Sequence, residues 1–434
     1  MKTKLSPRFW LALSLFSLFG QVAWVVENMY LNVFIYKMFR ASAADISMMV
    51  AASAITATLT TVLIGALSDR LGKRKVFICA GYILWGISVM GFGLIRADQI
   101  HSLFFPMMSF NGAAMSLCIT LTITLDCVMT FFGSSANDAA FNAWLTDSTD
   151  ETNRGAAEGI NAMMPLVAIL VVFGGFMAFN LDLAESWSAI FYIIGGVTLA
   201  VGILGFFLIE DTPALPSKTG YWQNVIYGFR PSTVKENTKL YISLLTFIVF
   251  NIAIQIFMPY LIIYYEVSLG MKDYVLIMAP AIILASVATA FWGRVYDRKG
   301  FQFSAVIALI ALLVGFILLY LFRDVAMVFV GSLLMMCGYL CGMAVFGARI
   351  RDLTPTGKAG MLQGVRIFSQ VLVPGVVGPY IGKLVLANAE TLVNSDGTTS
   401  FIPNENIFLA ALVPAAIVLI TCLINRKRSS LISL

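Results

Sequence analysis

The sequence predicts an all-α membrane protein that crosses the bilayer twelve times, and three observations support this fold class. Of the 434 residues, 59% are hydrophobic and only 12% are charged, which lies outside the range of soluble globular domains. Apolar runs of about 20 residues, the length with which a helix crosses ~30 Å of hydrocarbon, recur along the whole chain. Segments of alternating polar and apolar residues are absent, which excludes an outer-membrane β-barrel.

The predicted helices form two sets of six, separated by a polar stretch. Helices 1 to 6 are expected at 9–35, 44–67, 75–96, 122–146, 157–181 and 186–209. Helices 7 to 12 are expected at 239–264, 273–292, 302–322, 325–348, 361–386 and 406–425. We therefore expect an N-terminal six-helix bundle in 1–209, a central cytoplasmic loop in 210–238 and a C-terminal six-helix bundle in 239–434.

One further apolar stretch, 101–120, falls between helices 3 and 4. If it does not cross the membrane, all but six of the 28 Lys and Arg lie on one side, which the positive-inside rule makes cytoplasmic. A crossing would invert every later helix and place most of these residues outside. The sequence thus predicts a re-entrant or surface-lying excursion at 101–120, broken at Pro106 and Asn111-Gly112, with both termini cytoplasmic.

The two sets of helices repeat a sequence pattern at matched positions. At an offset of 228 residues, Gly65, Asp69, Arg70 and Gly72 recur as Gly293, Asp297, Arg298 and Gly300. At an offset of 205 residues, Asp147 and Gly155 recur as Asp352 and Gly360. The offsets differ by about the length of 101–120, so we predict two bundles related by a parallel repeat, with an insertion in the first.

The segment GALSDRLGKRK, residues 65–75, joins helices 2 and 3 and is dense in charge for so apolar a chain. Its glycines permit a tight turn, and its basic run anchors the cytoplasmic face of the protein. Neither role explains Asp69, a carboxylate at a helix end that can bind the positive end of a neighbouring helix. We predict that this contact forms only when two bundles close on that side. The predicted gating residues are Asp69, Arg70, Asp297 and Arg298.

This segment resembles the signature loop of the major facilitator superfamily, and the 6+6 repeat extends the resemblance over nearly the whole chain. The second copy departs from the signature, because Gly300 is followed by Phe-Gln-Phe and not by basic residues. The resemblance implies a secondary active transporter whose bundles rock around a central site lined by helices 1, 4, 7 and 10. The loop TDSTDETNRG and the Asn137-Asp138 pair resemble sugar:cation symporters of the glycoside-pentoside-hexuronide type, which implies uptake of a small sugar or glycoside with H⁺ or Na⁺.

Helices 1 and 7 carry polar stripes suited to a hydroxyl-rich ligand. On helix 1, at 100° per residue, one arc of about 80° holds two asparagines, a glutamine and a tryptophan, with Glu27 at its flank. Sugars bind through amide hydrogen bonds and stacking on aromatic rings. Hydrogen bonding between helices is the alternative explanation of these stripes. The predicted substrate-binding residues are Gln21, Trp24, Asn28, Asn32, Asn142, Asn251 and Gln255.

Helix 4 carries the densest polar cluster, GSSANDAAFNAW at 133–144, in which Ser134, Asp138 and Asn142 share a face. An ionisable group at the centre of a membrane helix costs roughly 2.5–3.5 kcal/mol, so it indicates function by default. We predict that Asp138 binds the coupling cation, with Glu27 as the second candidate. Asp126 points elsewhere, where it faces the insertion or pairs within the bundle.

Other classes of function fit the sequence less well. The sequence PGVVGPYIG at 374–382 is similar to a Gly-Pro motif of proton-driven exporters, but it lies in helix 11 and not in helix 5, so a drug or metabolite exporter is the alternative. A membrane sensor is a remote alternative, and an intramembrane enzyme lacks a nucleophile–base pair or an HExxH motif. We expect no cofactor, no nucleic-acid partner, a carbohydrate substrate, and a monomer in the bacterial inner membrane.

Overall fold

The computed structural model describes residues 5–71, 73–104, 112–150, 153–210, 226–355, 359–394 and 397–432. The chain divides into two compact units, Met1–Ile226 and Tyr227–Leu434, and the division falls inside the stretch predicted as a central loop. Regular structure in the described ranges is helical, apart from a two-stranded hairpin formed by Thr391–Val393 and Thr399–Phe401.

The described part of the first unit contains six helices that are long and apolar enough to cross a membrane. Helices 1 to 6 are Pro7–Phe39, Ala43–Leu71, Arg74–Phe92, Gly112–Asp147, Arg154–Phe176 and Ala184–Leu208. Helix 1 begins after Ser6, whose hydroxyl accepts a hydrogen bond from the Phe9 N–H at 3.2 Å. It ends at Arg40, whose positive φ of 58° stops the helix before helix 2 begins.

The second unit contains a helix, Tyr274–Leu321, that is two helices in sequence. Its 48 residues span about 72 Å at 1.5 Å per residue, more than twice the thickness of the hydrocarbon. Gly300 interrupts it with φ 77° and ψ 173°, a conformation that favours glycine, so 274–299 and 301–321 are helices 8 and 9. Helices 7 and 10 to 12 are Thr238–Ser268, Val325–Leu353, 359–385 and Asn406–Ile432. The twelve predicted membrane helices are therefore confirmed in the described chain.

The stretch predicted as one excursion, 101–120, splits into two parts. Its first residues belong to a short helix, Ala97–Phe104, while 105–111, with Pro106 and Asn111, lie outside the described residues. Residues 112–120 are instead the first turns of helix 4, which begins at Gly112 and not at 122. The prediction placed this start too late because it matched the helix to the bilayer. A helix of 36 residues is about 54 Å long and extends beyond ~30 Å of hydrocarbon.

Each unit uses the same pattern of neighbours. In the first, helix 1 packs against helices 5 and 6, helices 2 and 3 pack against helix 4, and helix 3 packs against helix 6. In the second, helix 7 packs against helices 11 and 12, and the helix 8–9 pair packs against helices 10 and 12. Glycine permits the close crossing of helices 3 and 6, where a Cβ on Gly86 would lie 2.5 Å from the Gly195 carbonyl oxygen.

Ion pairs join connecting segments at the end of the first unit opposite to residues 65–75. Arg96 donates hydrogen bonds to Asp98 at 3.2 Å and to Glu185 at 2.9 Å. The hydrogen bond from Arg96 holds the pKa of the Asp98 carboxyl below its ordinary value. Because the acidic partners are well exposed to solvent, such pairs stabilise the fold only weakly.

Candidate substrate and cation sites

Within the described residues, four helices contain a stretch of π-helix, and three of these stretches coincide with predicted polar clusters. The π stretches are Val26–Tyr30 in helix 1, Ser134–Phe141 in helix 4, Tyr264–Ser268 in helix 7 and Phe368–Leu372 in helix 11. A π turn closes its hydrogen bond between residues i and i+5, so it accommodates one residue more than an α turn, and such turns are frequent at functional sites.

The π turn in helix 1 divides the predicted polar stripe. Asn28 is exposed, and its Nδ2 donates to the Trp24 carbonyl oxygen at 2.7 Å. Asn32 is only 1% exposed, and its Nδ2 donates to the Asn28 carbonyl oxygen at 3.2 Å. Since the extra residue of a π turn rotates the face that follows it, a constant 100° per residue does not hold across Val26–Tyr30. Asn32 therefore lies in the interior, whereas Gln21, Trp24 and Asn28 keep partly or fully exposed side chains.

Trp24 belongs to an aromatic group that joins helices 1 and 3. Its ring centroid lies 5.0 Å from that of Trp85, which lies 5.4 Å from that of Tyr82. Tyr82 donates to the Phe16 carbonyl oxygen at 2.6 Å, which fixes this group against helix 1. The Trp24 indole N–H is buried and has no acceptor among the described residues. A buried donor without an acceptor costs about 1–3 kcal/mol, so this N–H is suited to a polar ligand.

On helix 4, Asp138 lies within the π stretch and is half-buried. Asn142 follows on the exposed surface, and its Nδ2 donates to the Asp138 carbonyl oxygen at 3.2 Å. Ser134 is fully buried, and its side chain lies within interaction range of the Asp138 carboxyl. The structure thus keeps Asp138 near both Asn142 and Ser134, with Asn142 exposed and Ser134 in the interior.

Glu27 lies inside the first unit, only 7% exposed, and not on the flank of an exposed stripe. Its Oε1 accepts hydrogen bonds from the Ser53 hydroxyl of helix 2 at 2.5 Å and from the Thr130 hydroxyl of helix 4 at 2.9 Å. Asp126, one turn before Thr130, is 1% exposed and lies within electrostatic range of Glu27. Helices 1, 2 and 4 therefore hold two carboxyl groups in the interior of one bundle.

On helix 7, the predicted substrate-binding residues mainly make contacts within the protein. Asn251 is buried, and its Nδ2 donates at 2.9 Å to a carbonyl oxygen one turn earlier in its own helix. Gln255 is half-buried and lies against Gly378 of helix 11. Tyr265 is buried, and its hydroxyl is hydrogen-bonded to Ser332 of helix 10 at 2.6 Å. Of the polar residues predicted here, Gln255 keeps a partly exposed side chain.

The Gly-Pro sequence of helix 11 packs against helix 7. A Cβ on Gly382 would lie 2.6 Å from the Ile256 carbonyl oxygen, so a larger residue would separate the two helices. The Pro379 carbonyl oxygen accepts a hydrogen bond from Tyr260 at 3.3 Å. Small residues at membrane helix crossings allow such close approach. Packing thus accounts for this sequence without an exporter function.

The segment 65–75 closes one end of the first unit with a cluster of charged and polar groups. Asp69 lies in the last turn of helix 2, its side chain is outside the described part of the structure, and Arg70 is exposed. Arg74 is only 5% exposed, and its Nε lies 3.2 Å from Asp147 Oδ2 at the end of helix 4. Its Nη1 also donates to Ser68 of helix 2. Arg74 therefore joins helices 2, 3 and 4, a role beyond the membrane anchoring that the sequence suggests.

In the second unit, the acid at the position that matches Asp147 has a different partner. Asp297 and Arg298 are exposed near the end of helix 8. Asp352, at the repeat position of Asp147, accepts a hydrogen bond from the Tyr296 hydroxyl. A cavity of about 320 Å³ lies beside these residues, lined by helices 8 and 10.

Several residues that build these clusters carry no recognisable sequence signal. Serine and threonine in membrane helices usually bond to their own backbone, so the spacing of Ser53 and Thr130 does not mark them. Asn137, by contrast, is marked in the sequence by its pairing with Asp138; it is only 4% exposed, and its Nδ2 has no partner among the described residues.

Comparison with known proteins gives the family. The sequence matches the family model of the Major Facilitator Superfamily over residues 9–379. No curated protein matches it in sequence.

Solved structures give the fold. The chain is similar to the nucleoside transporter NupG, with a TM-score of 0.67, 14% identity, and coverage of 95% of this chain and 98% of that chain. It is also similar to a bacterial homologue of the human lysosomal transporter Spinster, with a TM-score of 0.66, 15% identity and coverage of 98% of both chains. At these identities the similarity concerns the fold alone. The family match and the twelve membrane helices together show that this chain belongs to the Major Facilitator Superfamily.

Proposed function

We propose that the protein takes up a small sugar or glycoside by alternating access, driven by a gradient of H⁺ or Na⁺. Family membership supports secondary transport of a small molecule across a membrane. The observation that carries the coupled part of the proposal is Asp138, an acid in a π stretch of a membrane helix. An ionisable group there costs roughly 2.5–3.5 kcal/mol, whereas an asparagine would fill the same space without that cost.

The substrate part of the proposal rests on helices 1 and 4. Gln21, Asn28 and Asn142 have partly or fully exposed amides, and Trp24 adds an indole whose N–H lacks an acceptor. Amide groups beside an aromatic ring match the alternating hydroxyl groups and apolar faces of a sugar. These four residues are our candidates for direct contact with the substrate.

The remaining predicted substrate residues take different roles. Gln255 keeps a partly exposed amide and stays a candidate for contact. Asn32 and Asn251 are buried, and each amide donates to the backbone of its own helix. We assign these two residues to positioning of their helices.

The orientation in the membrane is part of the same proposal. We place both termini and residues 65–75 in the cytoplasm and the protein, as a monomer, in a bacterial inner membrane. In this orientation Asp69 stabilises the state that is closed on the cytoplasmic side.

An exporter is the competing function, and the Gly-Pro sequence of helix 11, which suggested it, is explained by packing against helix 7. Nucleosides are a competing substrate class, because a structurally similar protein is a nucleoside transporter and a nucleoside combines a sugar with an aromatic base.

The test is uptake of labelled mono- and disaccharides and nucleosides into vesicles with reconstituted protein, under imposed proton or sodium gradients. We expect at least one sugar or glycoside to accumulate above its external concentration, and the accumulation to collapse when the gradient is dissipated. If only nucleosides accumulate, the substrate is a nucleoside and not a sugar or glycoside. Extrusion of drugs or metabolites without sugar uptake would establish the exporter, and absence of any flux would favour a sensor.

A further inference from the structure

Glu27 and Asp126 form an acidic pair that the proposed substrate contacts do not use. Both side chains lie in the interior of the first unit, 7% and 1% exposed. Glu27 Oε1 is held between two helices by the Ser53 and Thr130 hydroxyls, which also contact each other at 2.9 Å. Asp126 lies four residues, about 6 Å of rise, before Thr130 on helix 4.

The second carboxyl oxygen of Glu27 accepts no hydrogen bond from the described part of the protein. Glu27 Oε2 and Asp126 Oδ1 are both buried without a hydrogen-bond partner among the described residues. A small cavity of about 10 Å³ borders Glu27, and its other lining residues are apolar, so it provides no partners for a bound water. Ionised carboxylates in such surroundings would cost several kcal/mol each.

Neighbouring groups add no positive charge. Titratable groups within electrostatic range of the pair are Asp138 and Cys127 of helix 4, and Tyr82 of helix 3 lies near Asp138. Within the described chain, no Lys or Arg interacts with either carboxyl. A proton on the pair removes charge without a counter-ion.

We propose that Glu27 and Asp126, with the hydroxyls of Ser53 and Thr130, form a binding site for an exchangeable proton inside the first bundle. In the loaded state Glu27 Oε2 carries the proton, and Oε1 is the carbonyl oxygen that accepts from both hydroxyls. Loss of the proton leaves a carboxylate whose charge the two hydroxyl donors stabilise at Oε1. Because Asp126 shares this interior, ionising both carboxyls would place two like charges together, so the pair keeps at least one proton.

The use of this proton in transport rests on the proposed function, but its presence does not. In a proton-coupled cycle, Glu27 holds the proton away from the substrate contacts, and Asp138 is a further acid of the same bundle within electrostatic range of Glu27. The acids therefore have separate tasks: Glu27 and Asp126 store the proton, and Asp138 couples it to uptake.

The test is pH-difference infrared spectroscopy of the purified protein without substrate, which reads protonated carboxyl groups directly. We expect the wild type to lose a carboxylic C=O band as the pH is raised. Glu27→Gln should abolish this band, and Asp126→Asn should abolish or displace it. Glu185→Gln, which removes an exposed acid of the same unit, should leave it unchanged.

Thr130→Val keeps the shape of the side chain. It therefore tests the site even if the carboxyl variants fail to fold. Loss of one hydrogen bond to the carbonyl oxygen should move the band to higher wavenumber. A band that is unchanged in both Glu27→Gln and Asp126→Asn would overturn the site, and a response to Glu27→Gln alone would overturn the pair. Displacement of the band by Na⁺ at constant pH would replace the proton site by a sodium site. Because no solute is transported in this measurement, its result is independent of the substrate.

Discussion

Each unit has an acid at a matched position of the repeat, Asp147 at the end of helix 4 and Asp352 at the end of helix 10. The two acids have different partners. Asp147 lies 3.2 Å from Arg74, whose side chain is 6% exposed. Asp352 accepts a hydrogen bond from Tyr296, a neutral group, beside a cavity of about 320 Å³. At this end of the first unit the helices are thus joined by a largely buried ion pair. At the matching end of the second unit they are joined by a hydrogen bond.

The repeat explains how this difference arises. At the offset of 228 residues, the position of Arg74 is taken by Gln302, and the position of Ser68 by Tyr296. In the first copy the Ser68 hydroxyl accepts from Arg74, whereas in the second copy the Tyr296 hydroxyl donates directly to the acid, Asp352. A repeat at the level of sequence can therefore preserve an acid and its hydrogen bonding while it changes the charge balance of the cluster.

The largest expected effect is on stability in the first copy. Arg74→Gln leaves Asp147 without its ion-pair partner and should lower the free energy of unfolding by about 2 kcal/mol, below the 3–5 kcal/mol of fully buried pairs because Asp147 is 30% exposed. Thermal unfolding in detergent would measure this loss. Arg70→Gln, at an exposed position of the same segment, should stay within about 0.5 kcal/mol. Equal effects of the two substitutions would contradict the distinction.

The second expected effect concerns transport. Asp69→Asn should weaken the contact that closes the cytoplasmic side by about 1 kcal/mol, which is about fivefold in the ratio of the two states. Slower uptake and faster labelling of cysteines placed in the cytoplasmic half of the transport pathway, in protein of normal stability, would show this. Asp297→Asn is the matched variant in the second copy, which lacks the basic run, and should have the smaller effect. Unchanged labelling and uptake in Asp69→Asn would reduce the segment to a turn and an anchor.

A smaller effect is expected in the second copy. Tyr296→Phe removes one hydrogen bond to Asp352 and should lower the free energy of unfolding by less than about 1 kcal/mol, because the acid is exposed and water replaces the hydroxyl. The same unfolding assay compares it directly with Arg74→Gln. A loss as large as that of Arg74→Gln would mean that the two ends are equivalent in energy despite their different partners.

The smallest effect is expected from the exposed ion pair at the other end of the first unit. The folded-state pKa of Asp98 is lowered by Arg96, so the pair stabilises the protein above the unfolded pKa of about 3.9 and loses this contribution as the pH falls through the folded pKa. Asp98→Asn should cost only a few tenths of a kcal/mol near neutral pH, since Asp98 is 63% exposed. Unfolding of wild type and variant should coincide below the folded pKa; a difference that does not change with pH would contradict this origin.

The fold follows from the sequence because its signals are strong and local. Helix length, the side preferred by Lys and Arg, and the recurrence of Gly-x-x-x-Asp-Arg each depend on short patterns. The start of helix 4 was wrong by ten residues because nothing in the pattern of residues 112–120 shows that a membrane helix continues past the hydrocarbon. The break at Gly300, in contrast, falls at a glycine that the repeat already marks.

The candidate sites follow from the sequence only in part. Asp138, Asn142, Gln21, Trp24 and Asn28 keep the partly or fully exposed positions that a wheel of 100° per residue predicts. Asn32 and Glu27, which follow or lie within the π turn of helix 1, are instead buried. The hydroxyls around Glu27 depend on contacts between helices, which a single sequence does not specify.

The central claim, that an acid on helix 4 couples the cation gradient to uptake, is tested most directly by Asp138→Asn in reconstituted vesicles. Removing a carboxylate from the membrane should, if anything, ease insertion, so expression should be normal. We predict that accumulation against a concentration gradient disappears, while exchange or downhill flux of the same solute persists. If Asp138→Asn still accumulates its substrate and Glu27→Gln does not, coupling belongs to helix 1, and the assignment of Asp138 is contradicted.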